Sequence, residues 1–235
     1  METMEHGSAS ALENLVNQIA HDVRNHAFTM GLQAEMGIRR TADLPEIRAH
    51  FEAILRQVDA LNHYVEQLLL YGRPVALAPT SVDLAAIVRE QVQRLQFGAD
   101  PAAAPPDIGV EVEGELRRGS WDARALSHAV MAILDNAVRS ARPSPPVVIA
   151  VRGDQHCAVV EVRDTGSGIP TELMARLAVP MAVRRAGGAG LGLAIARKMV
   201  EAHGGRLEIE SGPGGTTARL TLPWEIVADR PTPGA

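Results

Sequence analysis

The stretch from Cys157 to Pro170, CAVVEVRDTGSGIP, changes character in the middle. Its first half is rich in valine and reads as a strand. Its second half ends that strand in a carboxylate, Asp164, followed by two glycines, Gly166 and Gly168. A carboxylate there can accept a hydrogen bond from an exocyclic amine, and the glycines let the backbone approach a flat ring closely. Just upstream, PVVIAVRG (Pro146–Gly153) is a second valine-rich strand, which the GDQH connection would pair with the first.

Outward from this pair, the pattern mixes helix and strand. VDLAAIVREQVQRL reads as a helix capped by Asp83, IGVEVEG as a strand, and DARALSHAVMAILDNAVRSA as a longer helix opened by Asp122. Downstream, GGAGLGLAIARKMVEAHGG opens a helix with Gly190 and Gly192, and RLEIES and TTARLTLP close the chain as strands. The order predicts an α/β sandwich, a sheet covered by helices on one face. The turn at Gly190–Gly192 would offer free backbone N–H groups and the positive end of a helix dipole to phosphates. A dinucleotide-binding turn would need an early strand directly before its glycines, which the surroundings of Gly188 do not clearly supply. Within the long helix, the side-chain oxygen of Asn136 is suited to a hydrated magnesium ion, and Arg139, about one turn on, to a phosphate.

The first part of the chain has a different texture. From Pro45 to Tyr71, Ile47, Phe51, Ile54, Val58, Leu61, Val65 and Leu68 recur at spacings of four and three, a heptad seam, with Pro45 in the first helical turn. Upstream, Leu12, Val16, Ile19, Val23 and Met30 share a face, with His26 in the gap. Two such helices joined near RRTADLP form an antiparallel hairpin, whose apolar stripe is best buried by a second copy in a four-helix bundle. In IAHDVRNHAF (Ile19–Phe28), His21 lies about 200° round the helix from Ile19, and Asn25 shares its face. From this segment alone, His21 reads first as a solvated surface histidine, one of eight in the chain.

Composition narrows the class. The chain has 235 residues, 46% of them hydrophobic, and a net charge of −5, which argues against a nucleic-acid surface. Cys157 is the single cysteine, so no internal disulfide can form. No apolar run approaches the roughly 20 residues that span a bilayer. The expectation is a cytoplasmic protein without membrane insertion.

In order, these segments resemble the boxes of bacterial two-component sensor histidine kinases. HDVRN resembles the phosphoacceptor box, ILDNAVRSA the asparagine box and DTGSGIP the first glycine box. LAVPMAVRRAGGAGLGLAIARKMVEAHGG resembles the ATP lid and second glycine box, and SGPGGTTARLTLP the closing glycine–threonine strand. The resemblance implies an α+β architecture in which a dimerising hairpin carries the histidine and a gyrase-type sandwich binds Mg-ATP. Its units would be a disordered stretch 1–9, the hairpin 10–73, a linker 74–80, the ATP-binding domain 81–225 and a flexible tail 226–235.

By the same resemblance, His21 would be the phosphoacceptor and Asp22 its general base. Asn25 would orient water in members with phosphatase activity. Asn136 would hold Mg²⁺, Asp164 and Thr216 would belong to the adenine pocket with Gly166 and Gly168, and Gly188, Gly190, Leu191 and Gly192 would line the phosphate loop. Arg139 and the lid residue Arg185 would keep positive charge near phosphate. The implied partners are a second copy, a response-regulator receiver domain and, for a free-standing kinase, a separate sensor protein; the other reading is a piece of a longer chain. Three departures stand out: His26 replaces proline, Ala132 replaces an asparagine, and the lid has Ala178 and Met181 where phenylalanines are usual. Two other functions fit parts of the pattern, a phosphorelay module with a vestigial ATP site and an anti-sigma-type serine kinase.

Overall fold

The computed structural model describes residues 2–97, 105–114, 116–141, 146–174, 177 and 190–226. They form two compact units, one holding residues up to Pro74 together with Gly190 and Leu191, the other holding the remainder from Val75.

The first unit is the expected hairpin. Helix α1 spans Glu2–Arg40 and helix α2 spans Pro45–Gly72, with Pro45 in the first turn, where a missing N–H costs nothing. The turn is closed by Leu44 N–H donating to the Thr41 carbonyl. α1 reaches into residues expected to lie outside it, because no proline interrupts the run from Glu2.

The seam differs from the one predicted. Ala20, Ala27 and Ala34, at seven-residue spacing, are the buried ones among the α1 side chains that are described, from Val16 on, and Val16 and Val23 pack beside Val65 and Leu69. Ile19 and Met30, expected on that face, are exposed, as are His26, Ile47 and Ile54. Short side chains let two helices approach closely, so alanine takes the contact line and the large apolar groups fall beside it. Gly37 follows the same logic: a side-chain carbon there would collide with the ring of Phe51.

The second unit runs β1 (Thr80–Val82), α3 (Leu84–Phe97), β2 (Ile108–Glu113), β3 (Gly119–Trp121), α4 (Ala123–Ala141), β4 (Val147–Gly153), β5 (Cys157–Asp164), α5 (Thr171–Met174), α6 (Gly192–Ala202), β6 (Arg206–Gly212) and β7 (Gly215–Pro223). Both predicted caps form: Ala86 N–H donates to Asp83 Oδ1 at 3.0 Å, and Ala125 N–H to Asp122 Oδ1 at 2.9 Å. The main sheet has the order β2-β4-β5-β7-β6, parallel only between β2 and β4. β4 and β5 pair as an antiparallel hairpin, as the valine runs predict. The short β1–β3 pair is an addition, because three-residue strands carry too little periodicity to be read from sequence.

One sheet face and three helices make the core. Leu126, Ala129, Val130, Ile133 and Leu134 of α4 are buried where that helix meets β5, with Val160 and Val162, and α6, with Ile195, Met199 and Val200; Leu220 and Leu222 of β7, also buried, line the same sheet face. Each of the valine, leucine, isoleucine and methionine side chains contributes about 1.5–3 kcal/mol by leaving water. On the other face the carboxylate of Glu161 is wholly buried under arginines: Arg219 Nε donates to it at 2.8 Å, Arg152 at 3.0 Å, and Arg163 also contacts it. Burial pushes this carboxyl up, but the hydrogen bonds from Arg219 and Arg163 and the charge of Arg152 outweigh it and hold the group below its ordinary range. The two tryptophans close one edge, stacked with ring centroids 5.6 Å apart, with Trp121 Nε1 donating to the Pro223 carbonyl at 2.7 Å.

Candidate functional site

Within the hairpin, the side chains of His21 and Asp22 are 68% and 56% exposed. His21 Nδ1 lies 3.4 Å from Asp22 Oδ1 and 3.2 Å from Asn25 Nδ2. Gln18 Nε2 donates to the same Asp22 oxygen at 3.0 Å. Nδ1 serves one of these neighbours at a time: as Nδ1–H it donates to the carboxylate, makes no hydrogen bond with the Asn25 amide nitrogen, and leaves the lone pair on Nε2, the nitrogen then available as a nucleophile. The helix makes this geometry locally, because Gln18, Asp22, His21 and Asn25 are related by one or four positions.

In the second unit, α4 organises the predicted residues. Ala132, Asn136 and Ser140 recur every four positions and so share a stripe. Gly192, the first residue of α6, lies beside Ala132, since a carbon built on Gly192 would sit 3.8 Å from the Ala132 side chain. Gly166 packs on Ser140. Half-buried Asn136 therefore lies between the start of α6 at one end of the stripe and the DTGSGIP loop at the other.

The glycines of that loop lie close against other parts of the same unit. The room left by Gly166 and Gly168 is taken by protein: a carbon on Gly166 would collide with Ser140, and one on Gly168 with the Gly212 carbonyl. Gly168 also has φ +70°, which side chains rarely adopt. The glycines thus wedge the loop between α4 and the β6–β7 turn, next to Asp164 and Thr216. These two are cross-strand partners, each 5% exposed, and Asp164 Oδ1 accepts from Gly166 N–H at 2.9 Å.

Arg139, expected near phosphate, holds Asp135 of the same helix in a fork, with Nε to Oδ1 at 2.9 Å and Nη2 to Oδ2 at 2.8 Å. Gly190 has φ +68°, and Leu191 is buried; both fall in the unit of the hairpin. Arg185, Gly188 and the lid residues Ala178 and Met181 lie outside the described residues. Among the described residues there is no group of three or more His, Cys, Asp or Glu side chains placed to hold a metal. Sequence reasoning missed Gln18, Asp135 and Ser211. The first two stand four residues from their partners, a readable signal, whereas Ser211 accepts from Ile169 N–H, 42 positions away. It also missed His203, wholly buried, whose Nε2 accepts from Asp122 N–H at 3.0 Å and whose Nδ1 donates to the Met199 carbonyl at 2.7 Å. That imidazole ties the end of α6 to the start of α4.

Residues 121–226 match the family described as histidine kinase-, DNA gyrase B-, and HSP90-like ATPase. The chain is 30% identical to signal transduction histidine-protein kinase AtoS of Escherichia coli (strain K12), over 91% of this chain and 35% of AtoS. It is 28% identical to sensory histidine kinase/phosphatase NtrB of Vibrio alginolyticus, over 94% of this chain and 65% of NtrB. The fold is shared with full-length ShkA, whose crystal structure is a complex with AMPPNP: the TM-score is 0.73 at 21% identity, over 92% of this chain and 47% of ShkA. The chain spans less than two thirds of each of these relatives. Among the described residues no helix is long and apolar enough to cross a membrane. Over nearly its whole length the chain is thus similar to part of the sensor histidine kinases, and its residues 121–226 carry the match to the ATPase family.

Proposed function

We propose that this chain is an ATP-dependent protein histidine autokinase of a two-component system, with His21 as the phosphoacceptor. One observation carries the reading: an exposed imidazole whose Nδ1 faces the Asp22 carboxylate, on the same chain as an ATPase-family domain. Nε2 of His21 attacks the γ-phosphorus, a P–N bond forms, the bond to the β-phosphate oxygen breaks and ADP leaves. Asp22 accepts the Nδ1 proton as positive charge develops on the ring. The phosphoryl group then passes to an aspartate on a response-regulator receiver domain.

Asp164 and Thr216 would hold the adenine, and the turn at Gly190–Gly192 with the start of α6 would hold the phosphates. Asn136 would hold Mg²⁺, which supplies charge neutralisation to the triphosphate. A carboxamide oxygen, with no acidic cluster among the described residues, suits a hydrated magnesium ion, which dehydrates reluctantly. Arg139 reaches a phosphate only by exchanging or sharing its Asp135 partner. Arg185, Gly188 and Leu191 complete the proposed nucleotide site.

The work divides between residues 10–73 and 81–225 of a homodimer, whose interface would take the exposed Ile19, Met30, Ile47 and Ile54. An enzyme that consumes ATP belongs in the cytoplasm, where ATP is made, and its input comes from a sensor region or a separate sensor protein. The NtrB name includes a phosphatase, and Asn25, one helical turn from His21, is the residue we assign to orienting water on the phosphorylated regulator.

Incubation with ATP labelled at the γ-phosphate tests the kinase reading. Acid-labile, base-stable label that is lost in His21→Gln is the expected result. Acid-stable label points to a serine kinase, and no label to a relay module.

A further inference from the structure

Ser211 ends β6 in the turn that faces the DTGSGIP loop, and its hydroxyl is the centre of three contacts. Ile169 N–H donates to Ser211 Oγ at 2.8 Å, the Gly215 carbonyl lies 3.2 Å from that oxygen, and Thr216 Oγ1 lies 2.8 Å from it. Ser211 has one hydrogen and two lone pairs. All three contacts are hydrogen bonds at once only if Ser211 donates to Gly215 and accepts from both Ile169 and Thr216. The Thr216 hydroxyl hydrogen is then committed to Ser211, and Thr216 shows only lone pairs to anything else. The alternative, Ser211 donating to Thr216, leaves the Gly215 contact without a hydrogen, and half-buried groups pay for such losses.

The consequence falls on Asp164. Thr216 and Asp164 are directly opposite on β7 and β5, both nine-tenths or more buried, so their side chains stand on one face about 5 Å apart at Cβ. Asp164 spends Oδ1 on Gly166 N–H, which orients the carboxylate. Two neighbouring acceptors with no donor between them match a group that brings two hydrogens, the exocyclic amine of a 6-aminopurine. They repel a 6-oxopurine, which presents a carbonyl oxygen at that position.

We propose that Ser211 is a positioning residue for base selection: it holds the Thr216 hydroxyl as an acceptor beside Asp164, so that the site takes 6-aminopurine nucleotides and rejects 6-oxopurine ones. This rests on the nucleotide-site reading above. In Ser211→Ala the Thr216 hydroxyl hydrogen is released, turns outward and donates to a 6-oxo group. Ser211→Thr keeps the hydroxyl and the polarity.

The test titrates the full chain with ADP and with IDP in the presence of Mg²⁺, which avoids phosphoryl transfer, and follows thermal melting of each variant. The wild type should prefer ADP. Ser211→Ala should lower the ADP-over-IDP ratio about tenfold, the scale of one hydrogen bond gained and one repulsion removed, with Ser211→Thr restoring it. Thr216→Val gives a second reading through the other end of the same bond and should lower the ratio as well. An unchanged ratio in Ser211→Ala, or an equal loss of both nucleotides with a lowered melting temperature, overturns the proposal, as does a Thr216→Val variant with wild-type selectivity. Failure of the wild type to bind ADP at all refutes the nucleotide site itself, a distinct outcome.

Discussion

Individual side chains in this protein do work that follows from how many hydrogens and lone pairs each has. His203 is the plainest case. Burial pushes its imidazole down, and the hydrogen bond to Met199 and the charge of Asp122 restore only part of the loss, so the folded value lies below the ordinary 6.5. The folded state then binds fewer protons than the unfolded one in this range, and stability is complete above about pH 6.5 and declines as pH falls through the folded value. Denaturant unfolding of the wild type at pH 7.5 and pH 5.5 should show this loss, and His203→Gln should flatten the difference. Asn136 poses a separate question, since its carboxamide sits midway along α4. Asn136→Ala should weaken Mg-dependent ADP binding at least tenfold while leaving the melting temperature within a few degrees; unchanged affinity would remove the metal assignment. Asn25→Ala should keep His21 labelling yet slow the loss of phosphate from a phosphorylated regulator, measured as decay after mixing. If wild type and variant both leave decay at the regulator's own rate, Asn25 is an ordinary surface amide.

Helices and strands add constraints that no single residue carries. The α1 seam of Ala20, Ala27 and Ala34 packs against α2 at alanine distance, so Ala27→Leu should overpack it and cost about 1–3 kcal/mol, read as a lower melting temperature of the hairpin transition. The heptad was legible in both helices, but the face was assigned from the largest apolar residues, and Ile19 and Met30 drew it to one side. Alanine is weakly hydrophobic, so hydropathy underrates it where close approach is what matters. The strands show the reverse: β4 and β5 were legible as valine runs because they are buried, while β1 and β3, at three residues each, were not.

For the whole molecule, the exposed Ile19, Met30, Ile47 and Ile54 leave the hairpin with apolar surface that a second copy would cover. Light scattering at micromolar concentration should therefore give a mass near twice the 25.1 kDa chain; a mass near 25.1 kDa would contradict dimerisation.

Periodicity, caps and turn residues are local, so they were readable without coordinates. Asp83 and Asp122 cap their helices as their positions imply, and Gln18 to Asn25 assemble because a helix brings every fourth residue together. The order of the boxes along the chain carried the resemblance to sensor histidine kinases for the same reason. Contacts between distant segments were another matter. Nothing near Ser211 in the chain announces Ile169, nothing near His203 announces Asp122, and nothing near Gly168 announces that its vacant side-chain space belongs to Gly212. Glu161 looks like an ordinary exposed strand residue until Arg152, Arg163 and Arg219 close over it. Such pairings depend on sheet order and helix crossing, which arise when the whole core packs, and hydrogen-bond polarity is settled only once every donor has found its acceptor.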